Sequence, residues 1–152
     1  MIKILFVCHG NICRSPMAEF IMKELVEKNG LSHQFEIASA ATSDEELGNG
    51  VYPPVRELLS KRGISTKGKF ARQLRLSDYE EYDYLVGMDS ANRRNMLRLY
   101  RNDPKHKISL LLDHTDHPRD VADPWYTRNF SVTEQDVQEG CEALLDKLKT
   151  RH

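Results

Sequence analysis

The sequence lacks any long hydrophobic run. The longest apolar stretch near the start, residues 4–8, is too short for the hydrophobic segment of a signal peptide or for a membrane span, and no small-residue cleavage site follows it. We therefore expect a cytoplasmic protein with no membrane partner. The chain also lacks cysteines at the spacing of a disulfide framework. Its three cysteines are an odd number, which favours a catalytic or redox cysteine over a structural disulfide.

The chain contains neither GxGxxG nor GxxxxGK[ST], so the common nucleotide-binding loops are not supported. Internal repeats and low-complexity segments are also missing. Its 152 residues fit one domain, residues 1–152, large enough to bury about two thirds of the unfolded surface. With 39% hydrophobic and 30% charged residues, the composition is typical of a globular protein rather than a disordered one.

Positive charge is concentrated in two segments, although the formal net charge is only −1. Residues 61–75 hold six basic side chains and no acidic one, and residues 93–107 hold six against Asp103 alone. These segments either form two solvated surfaces or surround a site for an anionic substrate. They carry no nucleic-acid motif and no interleaved aromatic residues, so we expect no nucleic-acid partner.

Apolar runs alternate with helical patterns along the chain, which predicts a single-domain α/β fold. We expect a four-stranded parallel sheet in a three-layer α/β/α arrangement. The predicted strands are residues 2–7, 35–39, 84–88 and 108–112. The predicted helices start at Pro16 with Ser15 as the cap, at Pro53, at Ser77 (a short turn), at Ser90, and at Ser131 with Glu134 in a capping box. Residues 113–130 form a long polar connection, which is usually functional or mobile.

The turn between the first strand and the first helix is suited to binding phosphate. Backbone N–H groups of residues 9–14, the start of the helix at Pro16 and the guanidinium of Arg14 can converge on a tetrahedral anion. These positive surroundings favour the thiolate form of Cys8, which is then a nucleophile toward phosphorus. The hydroxyl of Ser15 can donate to the sulfur. The sequence therefore predicts a phosphate loop with a phosphocysteine intermediate.

A general acid must come from another element, and Asp123 in the long connection is the best candidate. Pro124 stiffens this segment, and Trp125 with Tyr126 can wall a cleft deep enough for a phenyl ring. An Asp-Pro pair is also common in ordinary turns, so the assignment depends on its pairing with the cysteine loop.

Residues 8–15, Cys-His-Gly-Asn-Ile-Cys-Arg-Ser, resemble the C-x5-R-S phosphate loop of the low-molecular-weight protein tyrosine phosphatases, and Asp123-Pro124 resembles their general-acid loop. The resemblance spans the chain. It implies a phosphotyrosine phosphatase that needs no cofactor or metal, acts on phosphotyrosine proteins or peptides, binds phosphate, sulfate or vanadate, and is a monomer or weak dimer.

The resemblance also assigns roles to residues. It makes Cys8 the nucleophile, Arg14 the phosphate binder and Asp123 the acid. Cys13 matches a second loop cysteine able to trap Cys8 in a reversible disulfide. Asn11, Ser15 and Ser39 would order the loop. The substrate-binding residues it implies are His9, Gly10, Asn11, Ile12, Cys13, Ser15, Trp125 and Tyr126.

Three positions depart from the family pattern. Ala41 stands where relatives often have glycine, so the local turn is expected to differ. Lys69 stands near a position where many relatives carry a histidine that hydrogen-bonds toward the loop. Trp125 replaces the first of two tyrosines, which keeps an aromatic wall but removes a phosphorylatable side chain.

Other functions remain open. A protein arginine phosphatase uses the same loop, but that branch tends to have a small polar residue where Ile12 stands, so Ile12 favours an aromatic substrate. Arsenate reduction needs further redox cysteines, whereas Cys141 lies on the apolar face of the last helix. A metal site could use Cys8, His9 and Cys13. A second candidate set of metal ligands is Asp113, His114, Asp116 and His117. Neither set has the spacing of structural zinc sites.

Overall fold

The protein is an open parallel sheet of four strands with helices on both faces, as the sequence predicts. The computed structural model describes the backbone of residues 1–151 and the side chains of residues 1–149, so His152 of the expected domain lies outside the described residues. The strands are β1 (Ile2–Cys8), β2 (Phe35–Ala41), β3 (Tyr84–Gly87) and β4 (Ile108–Leu110). The helices are α1 (Arg14–Lys28), α2 (Pro53–Lys61), α3 (Asp78–Glu81), α4 (Ser90–Leu99), α5 (Pro124–Thr127) and α6 (Phe130–Arg151). Single 3-10 turns cover Ser32–Gln34 and Leu111–His114.

The strand β1 lies in the interior of the sheet, whose order is β2-β1-β3-β4 with every pair parallel. Ile4 and Phe6 pack in a core with α1 and α6, whereas Leu5 and Val7 pack on the opposite face, in a core that includes Met96 of α4. This burial on both faces explains why β1 is apolar at nearly every position.

The carboxyl end of β1 lies where the chain changes direction across the sheet. From β1 the chain passes through α1 to β2 on one side, and it later returns to β3 on the other side of β1. Crevices of this kind are where open α/β sheets bind ligands. Cys8 is the last residue of β1, so the fold places the candidate nucleophile at this crevice.

The start of α1 differs from the prediction. The helix begins at Arg14, so Pro16 is its third residue, and Ser15 is not the cap. The preceding residue, Cys13, makes no side-chain capping bond. Instead, the hydroxyl of Ser15 lies beside the sulfur of Cys8. The capping pattern was wrong here because the site uses this serine.

Other boundaries also differ, among them the end of β2, which lies at Ala41 rather than residue 39. Strand β4 ends at Leu110 rather than residue 112, because the Asp113 carboxylate accepts the Leu110 N–H at 2.9 Å and the chain turns into a 3-10 segment. The predicted capping box of Ser131 and Glu134 is wrong. Asn129 Oδ1 accepts the N–H of Val132 at 3.2 Å, and Glu134 instead pairs with the guanidinium of Arg62 at 2.8 Å.

Candidate active site

The sulfur of Cys8 sits in a network of donors. It lies 3.0 Å from Ser15 Oγ and accepts the Asn11 backbone N–H at 3.3 Å, and the residue is only 3% exposed. The Asn11 side-chain amide donates to Ser15 Oγ at 2.8 Å, which leaves the Ser15 proton free to point at the sulfur. The Ser15 hydroxyl and the Asn11 N–H are thus both placed to donate to the Cys8 sulfur.

The loop conformation depends on Asn11. Its φ of 59° is in the left-handed region, which asparagine tolerates better than most residues. The buried side chain also donates to Ser39 Oγ at 2.9 Å and accepts the Arg72 backbone N–H at 3.1 Å. These contacts tie the loop to β2 and to the segment before α3. The structure thus brings the three predicted loop-supporting residues, Asn11, Ser15 and Ser39, into one hydrogen-bonded cluster.

Beneath this cluster lies a buried carboxylate, Glu19, which sequence reasoning missed. Ser39 Oγ donates to Glu19 at 2.6 Å, and the ammonium groups of Lys69 and Lys23 lie 3.0 and 2.6 Å from its oxygens. Burial by itself would raise the pKa of Glu19, but the two lysines outweigh it and hold the pKa below its ordinary value. Lys69 also donates to the Ser39 carbonyl at 3.1 Å. The lysine that stands here in place of the histidine of many relatives therefore still supports the loop.

The guanidinium of Arg14 faces two carboxylates. It donates to Asp89 at 2.8 Å and to the Val121 carbonyl at 3.2 Å, and the Asp123 carboxylate lies 3.5 Å away. Burial alone would lower the pKa of Arg14, but the negative charges of Cys8, Asp123 and Asp89 outweigh it and raise the pKa. The role of Asp89 was not predicted. Its signal was an acidic residue two positions after the end of β3, at the same edge of the sheet as Cys8.

The Asp123 segment reaches the cleft from the far end of the chain. Asp123 caps the single-turn helix α5 by accepting the Trp125 N–H at 3.0 Å. The Trp125 ring packs on Tyr52 with centroids 5.2 Å apart and remains 54% exposed, while Tyr126 is 83% exposed. The two aromatic side chains therefore form the rim of the cleft rather than a deep wall.

These groups line a cleft of about 480 Å³. Besides Arg14, no arginine or lysine is found among the described residues that line it, so of the two alternatives for the basic segments the cleft supports solvated surfaces rather than a basic surround of the site. Several of those side chains are instead paired: Arg62 with Glu24 and Lys105 with Glu80. The full lining is Cys8, His9, Gly10, Ile12, Cys13, Arg14, Glu45, Glu46, Asp89, Ala91, Asn92, Asn95, Asp123, Trp125 and Tyr126.

Comparison with known proteins agrees with this geometry. Residues 3–152 match the family model described as low molecular weight phosphotyrosine protein phosphatase. The chain belongs to this family. It is 38% identical over 151 residues to the low molecular weight protein-tyrosine-phosphatase YfkJ of Bacillus subtilis, covering 98% of this chain and 97% of that protein. The crystal structure of YfkJ superposes with a TM-score of 0.96, covering 99% of this chain and 96% of the other.

Two other relatives mark the breadth of the family. A low molecular weight phosphotyrosine protein phosphatase of Schizosaccharomyces pombe is 42% identical over 128 residues, covering 82% of this chain and 81% of that one. The crystal structure of a Drosophila arginine phosphatase is 30% identical with a TM-score of 0.86, covering 97% of this chain and 98% of the other. Proteins named for different substrates therefore share this phosphatase fold.

In this phosphatase Cys13 lines the same cleft as Cys8, and all three cysteines are free thiols. Burial, reinforced by the neighbouring Cys8 charge, raises the pKa of Cys13 to about 12. Cys13 is thus a neutral thiol at physiological pH. Cys141 is fully buried in the core, as expected, and burial raises its pKa as well.

Three of the residues considered as metal ligands make other side-chain contacts in this phosphatase. His9 pairs with Glu45 at 3.0 Å, Asp113 pairs with Arg93, and His114 lies 3.0 Å from Ser109. Within the part of the chain that the structure describes, no three His, Cys, Asp or Glu side chains are grouped to hold a metal ion. The same described residues include no helix of the length and hydropathy needed to cross a membrane.

Proposed function

We propose that this phosphatase hydrolyses phosphotyrosine monoesters in two steps through a phosphocysteine at Cys8. The observation that carries the proposal is the convergence of three groups on one cleft: the hydrogen-bonded sulfur of Cys8, the buried guanidinium of Arg14, and the carboxylate of Asp123, 3.5 Å from that guanidinium. They come from β1, from α1 and from the segment before α5. A nucleophile, an anion binder and a proton donor are the groups that phosphoryl transfer to cysteine needs.

In the first step the Cys8 thiolate attacks phosphorus and the bond from phosphorus to the ester oxygen breaks. Asp123, protonated, gives its proton to the departing tyrosine oxygen. Arg14 pairs with the equatorial phosphoryl oxygens, whose charge grows in the transition state. In the second step Asp123, now a carboxylate, takes a proton from water. That water attacks phosphorus, the phosphorus–sulfur bond breaks, and the hydroxyl of Ser15 stabilises the returning thiolate.

The cleft lining supports an aromatic substrate. Ile12 lies in the lining together with Trp125 and Tyr126, so a phenyl ring entering behind its phosphate meets apolar and aromatic surface. A phosphoarginine would bring a charged guanidinium to the same surface. Release of phosphate from phosphotyrosine, phosphoserine and phosphoarginine peptides should be measured side by side. We expect phosphotyrosine to give the highest kcat/KM, and a higher value for phosphoarginine would contradict this assignment.

The nucleophile is tested by Cys8→Ser. We expect this variant to release no phosphate from p-nitrophenyl phosphate while still binding vanadate, because Arg14 and the loop remain. Cys13→Ser is the matched control, since Cys13 lines the same cleft, and it should keep most of the turnover in reducing buffer. Undiminished turnover by Cys8→Ser would rule out the mechanism.

We also infer that free phosphate and sulfate compete with substrate for this cleft and that the enzyme acts as a monomer or weak dimer. The cleft is lined by residues of a single chain, which supports a protomer that is complete by itself. Sedimentation analysis together with specific activity over a range of enzyme concentrations tests this. Activity proportional to enzyme concentration is expected, and activity that appears only on association would contradict it.

A further inference from the structure

The residue directly before Asp123 is held from both sides by helix α6. Thr133 Oγ1 donates to the Ala122 carbonyl at 2.8 Å, and the Ala122 N–H donates to Asp136 Oδ2 at 3.1 Å. Thr133 and Asp136 are three residues apart, so both project from one face of α6. Thr133 is fully buried and Asp136 is 8% exposed. We call these two hydrogen bonds the Ala122 clamp.

The Asp136 carboxylate is shared between the clamp and a cation. Its other oxygen accepts from the Arg119 guanidinium at 2.9 Å, and Arg119 also pairs with Glu139 at 3.0 Å. A nearly buried carboxylate needs such compensation to stay charged. Arg119 and Ala122 lie on the same loop. Asp136 therefore binds that loop at two points, one of them the backbone next to Asp123.

A second set of bonds fixes the residue before Ala122. The Val121 N–H donates to the Met88 carbonyl at 2.8 Å, and the Val121 carbonyl accepts from Arg14 at 3.2 Å. All four backbone polar groups of Val121 and Ala122 are thus bonded to α1, α6 and the end of β3. Asp123 itself contacts Trp125 of its own turn and the Arg14 guanidinium. The loop is therefore anchored to the fold just ahead of the carboxylate.

We infer that Thr133 and Asp136 are positioning residues that hold Asp123 in place for proton transfer through the backbone of Ala122. The inference rests on the proposed role of Asp123 as general acid. Proton transfer requires hydrogen-bond distance in the transition state, so a displacement of about 1 Å weakens it strongly. Cys8 belongs to β1 and Arg14 to α1, so nucleophilic attack and phosphate binding are affected less.

The test compares two substrates whose leaving groups differ in their need for a proton. Phenyl phosphate has a poor leaving group, and p-nitrophenyl phosphate has a good one. Thr133→Val and Asp136→Ala should each lower kcat/KM for phenyl phosphate about tenfold more than for p-nitrophenyl phosphate, a part of the roughly 10²–10⁴-fold typical of general acid catalysis. Glu139→Ala is the matched control. It removes the other partner of Arg119 without touching Ala122, and should leave the ratio of the two kcat/KM values unchanged.

A purely structural role would slow both substrates equally, and equal slowing by folded Thr133→Val and Asp136→Ala would overturn the inference. Thr133→Val preserves the shape of the side chain. Asp136→Asn keeps one acceptor oxygen, so its ratio of the two kcat/KM values should lie closer to that of the parent than the ratio of Asp136→Ala does. Asp123→Asn separates this inference from the proposed function. If Asp123→Asn lowers kcat/KM for phenyl phosphate and for p-nitrophenyl phosphate by the same factor, the assignment of Asp123 as the acid fails. Adding Thr133→Val to Asp123→Asn should change the ratio no further, and an additional change would contradict a role exerted through Asp123.

Discussion

Replacing Lys69 by methionine tests how the buried Glu19 carboxylate and its lysine partners support the phosphate loop. The substitution keeps most of the side-chain length but removes the charge that lies 3.0 Å from the buried Glu19 carboxylate. It also removes the donor to the Ser39 carbonyl. We expect Lys69→Met to destabilise the fold, because Glu19 is then left in the interior with fewer partners.

The size of the effect follows from the burial of the pair. Removing one partner of a buried ion pair costs about 3–5 kcal/mol when the other charge is left uncompensated. Glu19 keeps Lys23 and Ser39, and burial lowers the pKa of Lys69 despite the attraction of Glu19, so part of the pair's benefit is already lost to desolvation. We expect about 2 kcal/mol, which is a fall of about 4–8 °C in Tm for a chain of this size.

Urea denaturation at neutral pH measures the change, and Lys23→Met is the matched control. Lys23 contacts the same carboxylate at 2.6 Å but is 46% exposed, and such pairs contribute about 0.5 kcal/mol. A loss for Lys69→Met no larger than that of the control would refute the reasoning.

The same pair predicts a pH dependence. Because the folded pKa of Glu19 lies below its ordinary value, its contribution to stability is present above that ordinary value, about 4.3, and is lost as pH falls through the lower, folded one. The difference in unfolding free energy between the parent and Lys69→Met should therefore shrink in that acid range. A difference that stayed constant would contradict the role given to the charge of Glu19.

Three further changes have clear expectations. Asn11→Ala removes three side-chain hydrogen bonds at a left-handed position and should lower kcat/KM for p-nitrophenyl phosphate at least tenfold, about 1.4 kcal/mol. Asn11→Gly removes the same bonds without strain at this φ and should lose nearly as much, because the bonds matter more than the φ value. Gly140→Ala would place a methyl against the buried Leu111 side chain, closer than van der Waals contact allows, so urea denaturation should show a loss of about 1–3 kcal/mol; an unchanged midpoint would contradict this. Cys13→Ser should lower the fraction of activity that dithiothreitol restores after peroxide treatment, since Cys13 shares the cleft with Cys8; full recovery would contradict that role.

The sequence predicted the parts of the fold that depend on local pattern. The apolar run of β1 and the four strands alternating with helices follow from burial on both sheet faces. Two of the boundaries that failed are those where a group elsewhere in the fold competes with a local signal. Ser15 is used by Cys8 instead of capping α1, and Glu134 is used by Arg62 instead of capping α6. The amino-acid sequence by itself does not show such competition.

The phosphate loop was predictable because its groups are close in sequence. Cys8, Arg14 and Ser15 lie within eight residues, and their spacing alone indicates an anion loop. Glu19 and Asp89 become part of the site only through packing. Each reads locally as an ordinary helix residue or helix cap, and only the fold brings Asp89 within 2.8 Å of Arg14. The clamp on Ala122 was missed for the same reason.

We propose that Cys8 carries the phosphoryl group during turnover. The direct measurement is mass spectrometry of Asp123→Asn after reaction with p-nitrophenyl phosphate and a quench with denaturant at alkaline pH. Loss of Asp123 slows the hydrolysis step, so an intermediate should accumulate. We predict one phosphoryl group on the peptide that contains Cys8. A phosphoryl group on any other residue, or turnover with no covalent intermediate, would contradict the account.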